Sequence, residues 1–128
     1  MSVDLLDVPA ELRDAVAAAL LAAGVGDGHL AVEIADPDRI RELNREHRGI
    51  NRPTDVLAFP VDGPGRASGP RELGDVVICP EQCSSVREAV VHGVLHLCGF
   101  DHEVDDGEML ALQAQAMANL RRPRPLDS

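Results

Sequence analysis

Residues 92–102, with the sequence HGVLHLCGFDH, contain three of the five histidines in the chain. On a helix, His92 and His96 lie one turn apart on the same face, so their imidazoles can share one cation. Gly99 then allows the chain to leave the helix and turn back, which can bring His102 to a third ligand position. The fourth position stays open for water, as in catalytic zinc sites. This segment therefore predicts a helix that carries a centre for one zinc ion.

A pair of histidines at this spacing can also be a hydrogen-bonded feature of an apolar core. The helix around His92 and His96 is otherwise aliphatic, and two inward-facing imidazoles would be costly to bury without a partner such as a metal ion. Asp101 and Glu103 flank His102, and Asp101 can orient a ligand imidazole by accepting its hydrogen bond. We therefore interpret His92, His96 and His102 as metal ligands.

The histidine spacing also matches the metzincin protease motif H-E-x-x-H-x-x-G-x-x-H, except that its second position is Gly93. In those proteases the glutamate at this position activates the zinc-bound water and passes its proton to the leaving amine. Its absence predicts a metal centre without peptidase chemistry. The sequence offers no other obvious general base. The sequence therefore leaves open which oxygen acts as the nucleophile.

The length and the order of elements predict one small α+β domain. A chain of 128 residues suits a single core, because two separate cores would each barely offset chain entropy. Periodicity and turn residues give the order β-α-β-α-β-β-α-α, which describes a small mixed sheet of about four strands packed with helices. We expect the domain to span residues 1–128, with a frayed tail over about 121–128.

Capping and breaker residues set the expected boundaries. Asp36 is a suitable N-cap for a helix that runs to about Arg48, and Ser85 with Glu88 forms a capping box for the helix of the histidines. The other predicted elements are a strand over 3–6, a helix from Pro9 to Gly24, a strand over 30–34, a buried strand over 56–59, a loop over 62–70, a strand over 76–79, and a last helix opened by Asp105 and Glu108, with Met109, Leu112, Ala116 and Leu120 on its inner face.

Composition and cysteine usage favour a cytoplasmic protein. No apolar run reaches the roughly 18 to 20 residues that a membrane-spanning helix needs, and residues 1–10 are acidic where a signal peptide is basic. Cys79, Cys83 and Cys98 fit no paired framework, so we expect small hydrophobic side chains with free thiols. No membrane partner is expected.

Charge is distributed unevenly along the chain. The formal net charge of −10 opposes binding to nucleic acids, but all 12 basic residues are arginines, and the segment between positions 39 and 52 is rich in them. Acidic residues crowd between positions 101 and 108. Phe59 and Phe100 are the only Phe, Tyr or Trp residues, which argues against a base-stacking module. The chain is therefore locally basic in one segment and locally acidic in another, and any contact with a polyanion is expected from the arginine-rich segment.

The histidine segment resembles the signature H-G-x-L-H-L-x-G-[YF]-D-H of the YbeY-type bacterial endoribonucleases, also called rRNA maturation factors. Residues 43–60 (LNREHRGINRPTDVLAFP) and 73–79 (LGDVVIC) are similar to two further segments of that family. The resemblance covers most of residues 30–120 in the same order. It implies a mixed α+β sheet with the metal helix across it, zinc ligands at His92, His96 and His102, and a functional arginine at Arg48.

The resemblance also implies an activity and its partners. It implies a zinc-dependent endoribonuclease that acts on single-stranded RNA in the maturation and quality control of ribosomal RNA. Ribosomal RNA and components of the small ribosomal subunit are then the expected partners, in the bacterial cytoplasm, and DNA is not. The segment from Pro80 to His92 is shorter than is usual in the family, so we expect the metal helix to start late.

Two other functions agree with the same residues. One is a metal-dependent hydrolase of a different bond, peptide or amide. The other is a non-catalytic assembly factor with a structural zinc ion, which would need a fourth protein ligand. Cys98 is the nearest candidate, but it points about 200° around the helix from His96. For Arg48, the alternative to a phosphate-binding guanidinium is a solvated charge that stabilises a helix end.

Overall fold

The structure, a computed structural model, describes residues 2–4, 8–25, 27–60, 72–100 and 107–121. Its strands are β1 (Ser2–Asp4), β2 (Asp27–Ile34), β3 (Val56–Pro60) and β4 (Glu72–Ile78). Its α-helices are α1 (Arg13–Ala23), α2 (Pro37–Arg48), α3 (Val86–Leu97) and α4 (Glu108–Arg121). Short 3₁₀ helices span Ala10–Leu12 and Pro80–Gln82. The predicted α+β class and the predicted order of strands and α-helices are confirmed.

Some predicted boundaries shift, and some predicted features cannot be compared. β2 begins at Asp27 rather than at Leu30, and Arg121 is the last residue of α4. The loop over 62–70, the capping residue Asp105 and residues 122–128 lie outside the described residues. None of the helices within the described ranges is long and apolar enough to cross a membrane.

The strands form a mixed sheet in the order β1-β2-β4-β3. β2 is parallel to both of its neighbours, β1 and β4. β3 is antiparallel to β4, with Val56 opposite Ile78 at one end and Pro60 opposite Gly74 at the other. This arrangement confirms the predicted mixed sheet of about four strands.

The sheet separates two groups of helices. Along β4, Val76 and Ile78 belong to the core shared with α1, α3 and α4, whereas Val77 belongs to a second core beneath α2. This alternation follows from the two-residue period of a strand. Met109 and Ala116 are fully buried in the larger core, as predicted for the inner face of α4.

β3 confirms the predicted strand, but the prediction that its apolar run is buried is wrong. Of its residues only Leu57 is buried, with 4% of its surface exposed. The other side chains of the run are partly open, because among the described strands β3 has a neighbour on one side only. An edge position also accommodates Pro60, whose missing N–H would interrupt a central strand.

α2 begins and ends at the residues that the sequence predicts. The side chain of Asp36 accepts a hydrogen bond of 2.8 Å from the backbone N–H of Arg39. Gly49 ends the helix with a φ of 72°, a left-handed conformation that glycine adopts without strain. The helix therefore ends with Arg48, as the sequence predicts.

α3 packs across β3 and β4, and Gly93 lies at a point of close contact. A Cβ atom at position 93 would lie 2.8 Å from Cγ1 of Val76 and 3.0 Å from Cγ2 of Val56. Carbon atoms pack at about 3.5–4.0 Å, so the helix approaches the sheet this closely only because residue 93 has no side chain. The predicted placement of the histidine helix across the sheet is confirmed.

Replacing Gly93 by alanine should destabilise the protein, because crowding against Val76 and Val56 outweighs the gain in helix propensity. Overpacking costs about 1–3 kcal/mol, against about 1 kcal/mol gained by alanine in a helix interior. We expect urea denaturation to show a net loss of about 1 kcal/mol in the free energy of unfolding. In a Val76→Ala background the same change should be neutral or stabilising. If Gly93→Ala lowers the free energy of unfolding equally in both backgrounds, crowding against Val76 is not the cause of the loss.

Candidate metal centre

Two of the predicted ligands, His92 and His96, face each other from successive turns of α3. Their Nε2 atoms are 3.2 Å apart, and their ring planes are inclined by 76°. Two nitrogens that each lie about 2.0–2.1 Å from a tetrahedral zinc ion are about 3.3 Å apart. The two Nε2 atoms therefore have the separation of two ligands on one ion.

His102, the third predicted ligand, lies outside the described residues, as do Asp101 and Glu103. Among the residues that the structure does describe, no group of three or more His, Cys, Asp or Glu side chains could hold a metal ion. The three-histidine centre therefore stays a prediction, in which α3 supplies two ligands and the segment after it supplies the third.

The other ring nitrogen of His92, Nδ1, makes a hydrogen bond with α4. It lies 2.8 Å from Oε1 of Gln113, a residue of α4. The side-chain amide of Gln113 in turn donates from Nε2 to Oε2 of Glu88 at 3.2 Å. Glu88 and Ser85 make half of the predicted capping box, because the backbone N–H of Glu88 donates to the Ser85 hydroxyl. The carboxylate of Glu88, however, accepts a hydrogen bond from Gln113.

The two histidines lie in a cleft of about 720 Å³. Its walls come from α3, β3, α4 and the C-terminal end of α2. Arg48, the predicted functional arginine, is exposed and lines the same cleft. Within the described ranges, no ion pair or hydrogen bond joins its side chain to another residue. Its guanidinium is therefore available to an anion that enters the cleft beside the histidines.

The arginines between positions 39 and 52 do not share one surface. Arg39 pairs with Glu42 at 2.9 Å, and Nε of Arg41 donates to Oδ1 of Asn51 at 2.8 Å. Neither Arg39 nor Arg41 is among the residues that line the cleft, whereas Arg48 is. Of the arginines between positions 39 and 52, all of which the structure describes, Arg48 alone lines the cleft.

Sequence reasoning missed several side chains of the cleft. Glu88 precedes His92 by four residues, the same spacing that relates His92 to His96, so helical periodicity could have identified it. Gln113 lies on a different helix, and no local signal points to it. His47 and Phe59 also line the cleft, with their ring centroids 4.8 Å apart.

The cysteines do not contribute described ligands to the cleft. Cys98 caps the end of α3 and packs against the larger core, and it is not among the residues that line the cleft. Burial raises the pKa of the Cys83 thiol, and the charges of Asp55 and Cys79 add to this effect. The Cys83 thiol donates to the backbone carbonyl of Cys79 at 3.2 Å. The proposed structural site closed by Cys98 therefore has no support in this geometry.

Comparisons with known proteins point to one family. The sequence model of endoribonuclease YbeY matches residues 4–121. The chain is 40% identical to endoribonuclease YbeY of Bradyrhizobium sp. (strain BTAi1), over 90% of this chain and 82% of that relative. It is 42% identical to endoribonuclease YbeY of Alkalilimnicola ehrlichii, over 88% of this chain and 73% of that relative. The solution structure of a Thermotoga maritima protein is similar, with a TM-score of 0.52 and 27% identity, and the match covers 86% of this chain and 83% of that one.

We propose that this site binds one zinc ion through His92, His96 and His102. Purified protein should then hold about one equivalent of zinc, because the paired Nε2 atoms are spaced for one ion. His96→Ala should lose the metal, as measured by plasma mass spectrometry after removal of free ions. His29→Ala removes a histidine of β2 that does not line the cleft and should keep it. Equal zinc contents in the two variants would contradict the assignment.

Proposed function

Because this chain belongs to the endoribonuclease YbeY family, we propose that it is a zinc-dependent endoribonuclease that cleaves single-stranded RNA. The names of its relatives support the coarser statement that it is a nuclease, a hydrolase of phosphodiester bonds. The observation that carries the finer proposal is the cleft in which Arg48 lies together with the facing Nε2 atoms of His92 and His96.

The side chains of the cleft have complementary roles in this proposal. His92, His96 and His102 would hold the zinc ion. A zinc ion bound there would supply Lewis-acid chemistry. Arg48 binds the phosphate with its planar guanidinium and stabilises the negative charge that develops on the phosphoryl oxygens during cleavage. In this proposal, α3 supplies two metal ligands and the end of α2 supplies the phosphate-binding arginine.

We infer that ribosomal RNA is the substrate, in maturation and quality control, with components of the small ribosomal subunit as partners in the cytoplasm. The support is the resemblance of residues 43–60, 73–79 and 92–102 to the rRNA maturation factors. The net charge of −10 disfavours RNA at long range. Binding therefore rests on a few local contacts between arginine and phosphate, and its affinity should be modest and fall steeply with salt, by about −0.7 in log-log slope per contact.

Arg48→Ala should reduce the cleavage of a labelled single-stranded rRNA fragment at least about tenfold while the zinc content stays unchanged. The variant removes charge stabilisation in the transition state and leaves the ligands in place. Arg48→Lys should restore only part of the rate, because a point charge does not replace the planar guanidinium. Both rates are measured with zinc-loaded protein, and addition of a chelator should abolish cleavage by the parent.

Arg39→Ala is the matched control for this experiment. Arg39 lies near the opposite end of α2, is paired with Glu42 and does not line the cleft, so its loss should change the rate little. If Arg48→Ala cleaves RNA at the parent rate, Arg48 is a helix-end charge rather than a catalytic residue. A similar loss of rate in Arg39→Ala would instead indicate a general effect of net charge.

A metal-dependent peptidase is the rival that the packing of α3 disfavours. The glutamate of the metzincin motif would stand at position 93, where its Cβ atom would lie 2.8 Å from Cγ1 of Val76. Glu88 places another carboxylate in the cleft, but this carboxylate accepts a hydrogen bond from the side-chain amide of Gln113, which also contacts His92. A glutamate at the position of the protease base would therefore crowd Val76 and Val56.

Zinc-loaded protein should leave casein-like substrates intact under conditions in which it cleaves single-stranded RNA. The physical reason is the missing general base at Gly93. Both activities are measured on the same preparation, with and without chelator, so that a contaminating protease is recognised by its insensitivity to Arg48→Ala. Chelator-sensitive peptide hydrolysis in the absence of RNA cleavage would contradict the proposed nuclease and favour the peptidase.

A further inference from the structure

A chain of two hydrogen bonds connects α4 to the histidine pair. Oε1 of Gln113 lies 2.8 Å from Nδ1 of His92, and Nε2 of Gln113 lies 3.2 Å from Oε2 of Glu88. Glu88 and His92 are both on α3, one turn apart, and Gln113 faces them from α4. All three side chains line the cleft. Gln113 therefore bridges two successive turns of the helix that carries the proposed zinc ligands.

The chemistry of the three groups determines which atom carries each proton. An ionised carboxylate only accepts hydrogen bonds, so Glu88 must face the NH₂ group of Gln113. The amide oxygen of Gln113 must then face His92, and an oxygen of this kind only accepts. The proton in the second bond therefore sits on Nδ1 of His92. In a neutral imidazole this leaves Nε2 with a lone pair, directed toward Nε2 of His96 at 3.2 Å.

We infer that Gln113, oriented by Glu88, is a positioning residue that holds His92 in the Nδ1–H tautomer, in which Nε2 carries the lone pair that would bind the metal. The inference rests on the zinc site of the proposed function. Metal-binding histidines usually donate their second N–H to a carboxylate, a carbonyl or water, which sets both tautomer and ring orientation. Here a neutral amide contacts the ligand directly, and the carboxylate lies one bond further away.

This arrangement gives α4 a role in the site without a ligand of its own. Gln113 lies between Met109 and Ala116 in sequence, both of which are fully buried against the larger core. Packing of these residues holds α4 in register with α3, so that the amide meets Nδ1 of His92. The position of the imidazole thus depends on the packing of two helices as well as on α3 itself.

The first measurement is the tautomer of His92 in metal-free protein. Long-range ¹H–¹⁵N spectra at pH of about 8.5, well above an ordinary imidazole pKa of about 6.5, distinguish the two neutral tautomers. His92→Ala assigns the signal. The parent should show the Nδ1–H form, and Gln113→Ala should show a mixture of both forms. Gln115→Ala removes the same side chain from an exposed position of α4 that does not line the cleft, and it should match the parent.

Substitutions at Glu88 test the direction of the hydrogen bonds. Glu88→Gln keeps an acceptor for the Gln113 amide and should keep the Nδ1–H form. Glu88→Lys presents a donor, so the amide should turn its oxygen to Lys and its NH₂ group to Nδ1 of His92, which then has to accept. The proton should move to Nε2 in that variant. In a Gln113→Ala background, Glu88→Lys should no longer shift the tautomer.

The second measurement is zinc affinity, by competition with a chromophoric chelator. Gln113→Ala should weaken zinc binding about 10- to 100-fold, whereas Gln115→Ala should not. Thermal denaturation checks that both variants are folded to the same extent.

An unchanged tautomer or an unchanged zinc affinity in Gln113→Ala would overturn the inference, as would a parent protein that takes up no zinc. Neither measurement uses RNA, so a protein that passes both and yet fails to cleave RNA refutes the proposed nuclease and leaves this inference standing.

Discussion

The contact of Gly93 with Val76 and Val56 determines how α3 presents its histidines. Because residue 93 has no side chain, the helix lies directly on β3 and β4, and close packing fixes its rotation about its own axis. His92 is one residue, about 100°, away from Gly93 around the helix, and His96 shares the face of His92. Both imidazoles are thereby directed past the edge strand into the cleft. The same close contact excludes a glutamate at the position where metzincins carry their base.

The position of β3 at the edge of the sheet explains how the cleft combines residues from both sides. α2 packs on one face through Ile40 and Leu43, while α3 packs on the other. Among the described strands β3 is the last of the sheet, and the end of α2 and the middle of α3 both line the cleft beside it, where Phe59 contacts His47. An additional strand beyond β3 would separate the arginine of α2 from the histidines of α3. The edge position of β3 therefore allows both faces of the sheet to contribute to one cleft.

The sequence predicts what depends on neighbours in the chain. Asp36, Ser85 and the glycine after Arg48 mark the ends of helices because capping is a matter of a few adjacent residues, and His92 and His96 are related by one helical turn. Features that depend on distant residues were missed or misread. The run over 56–59 is apolar whether its strand is central or at the edge, so its exposure depends on the strand order. Gln113 reaches His92 only because α4 packs beside α3, and local patterns carry no trace of that contact.

The charges of the cleft connect the proposed zinc ion to the proposed binding of RNA. Among the described residues that line it, one guanidinium, that of Arg48, stands against two carboxylates, those of Asp55 and Glu88. Such a surface does not attract a phosphate by itself, and the rest of the chain carries net negative charge as well. A bound divalent cation would reverse that balance locally, next to the guanidinium. The neutral amide of Gln113 keeps the Glu88 carboxylate one hydrogen bond away from His92. In the proposed site, the imidazole would therefore be oriented while most of the positive field of a bound ion stayed available to an RNA phosphate.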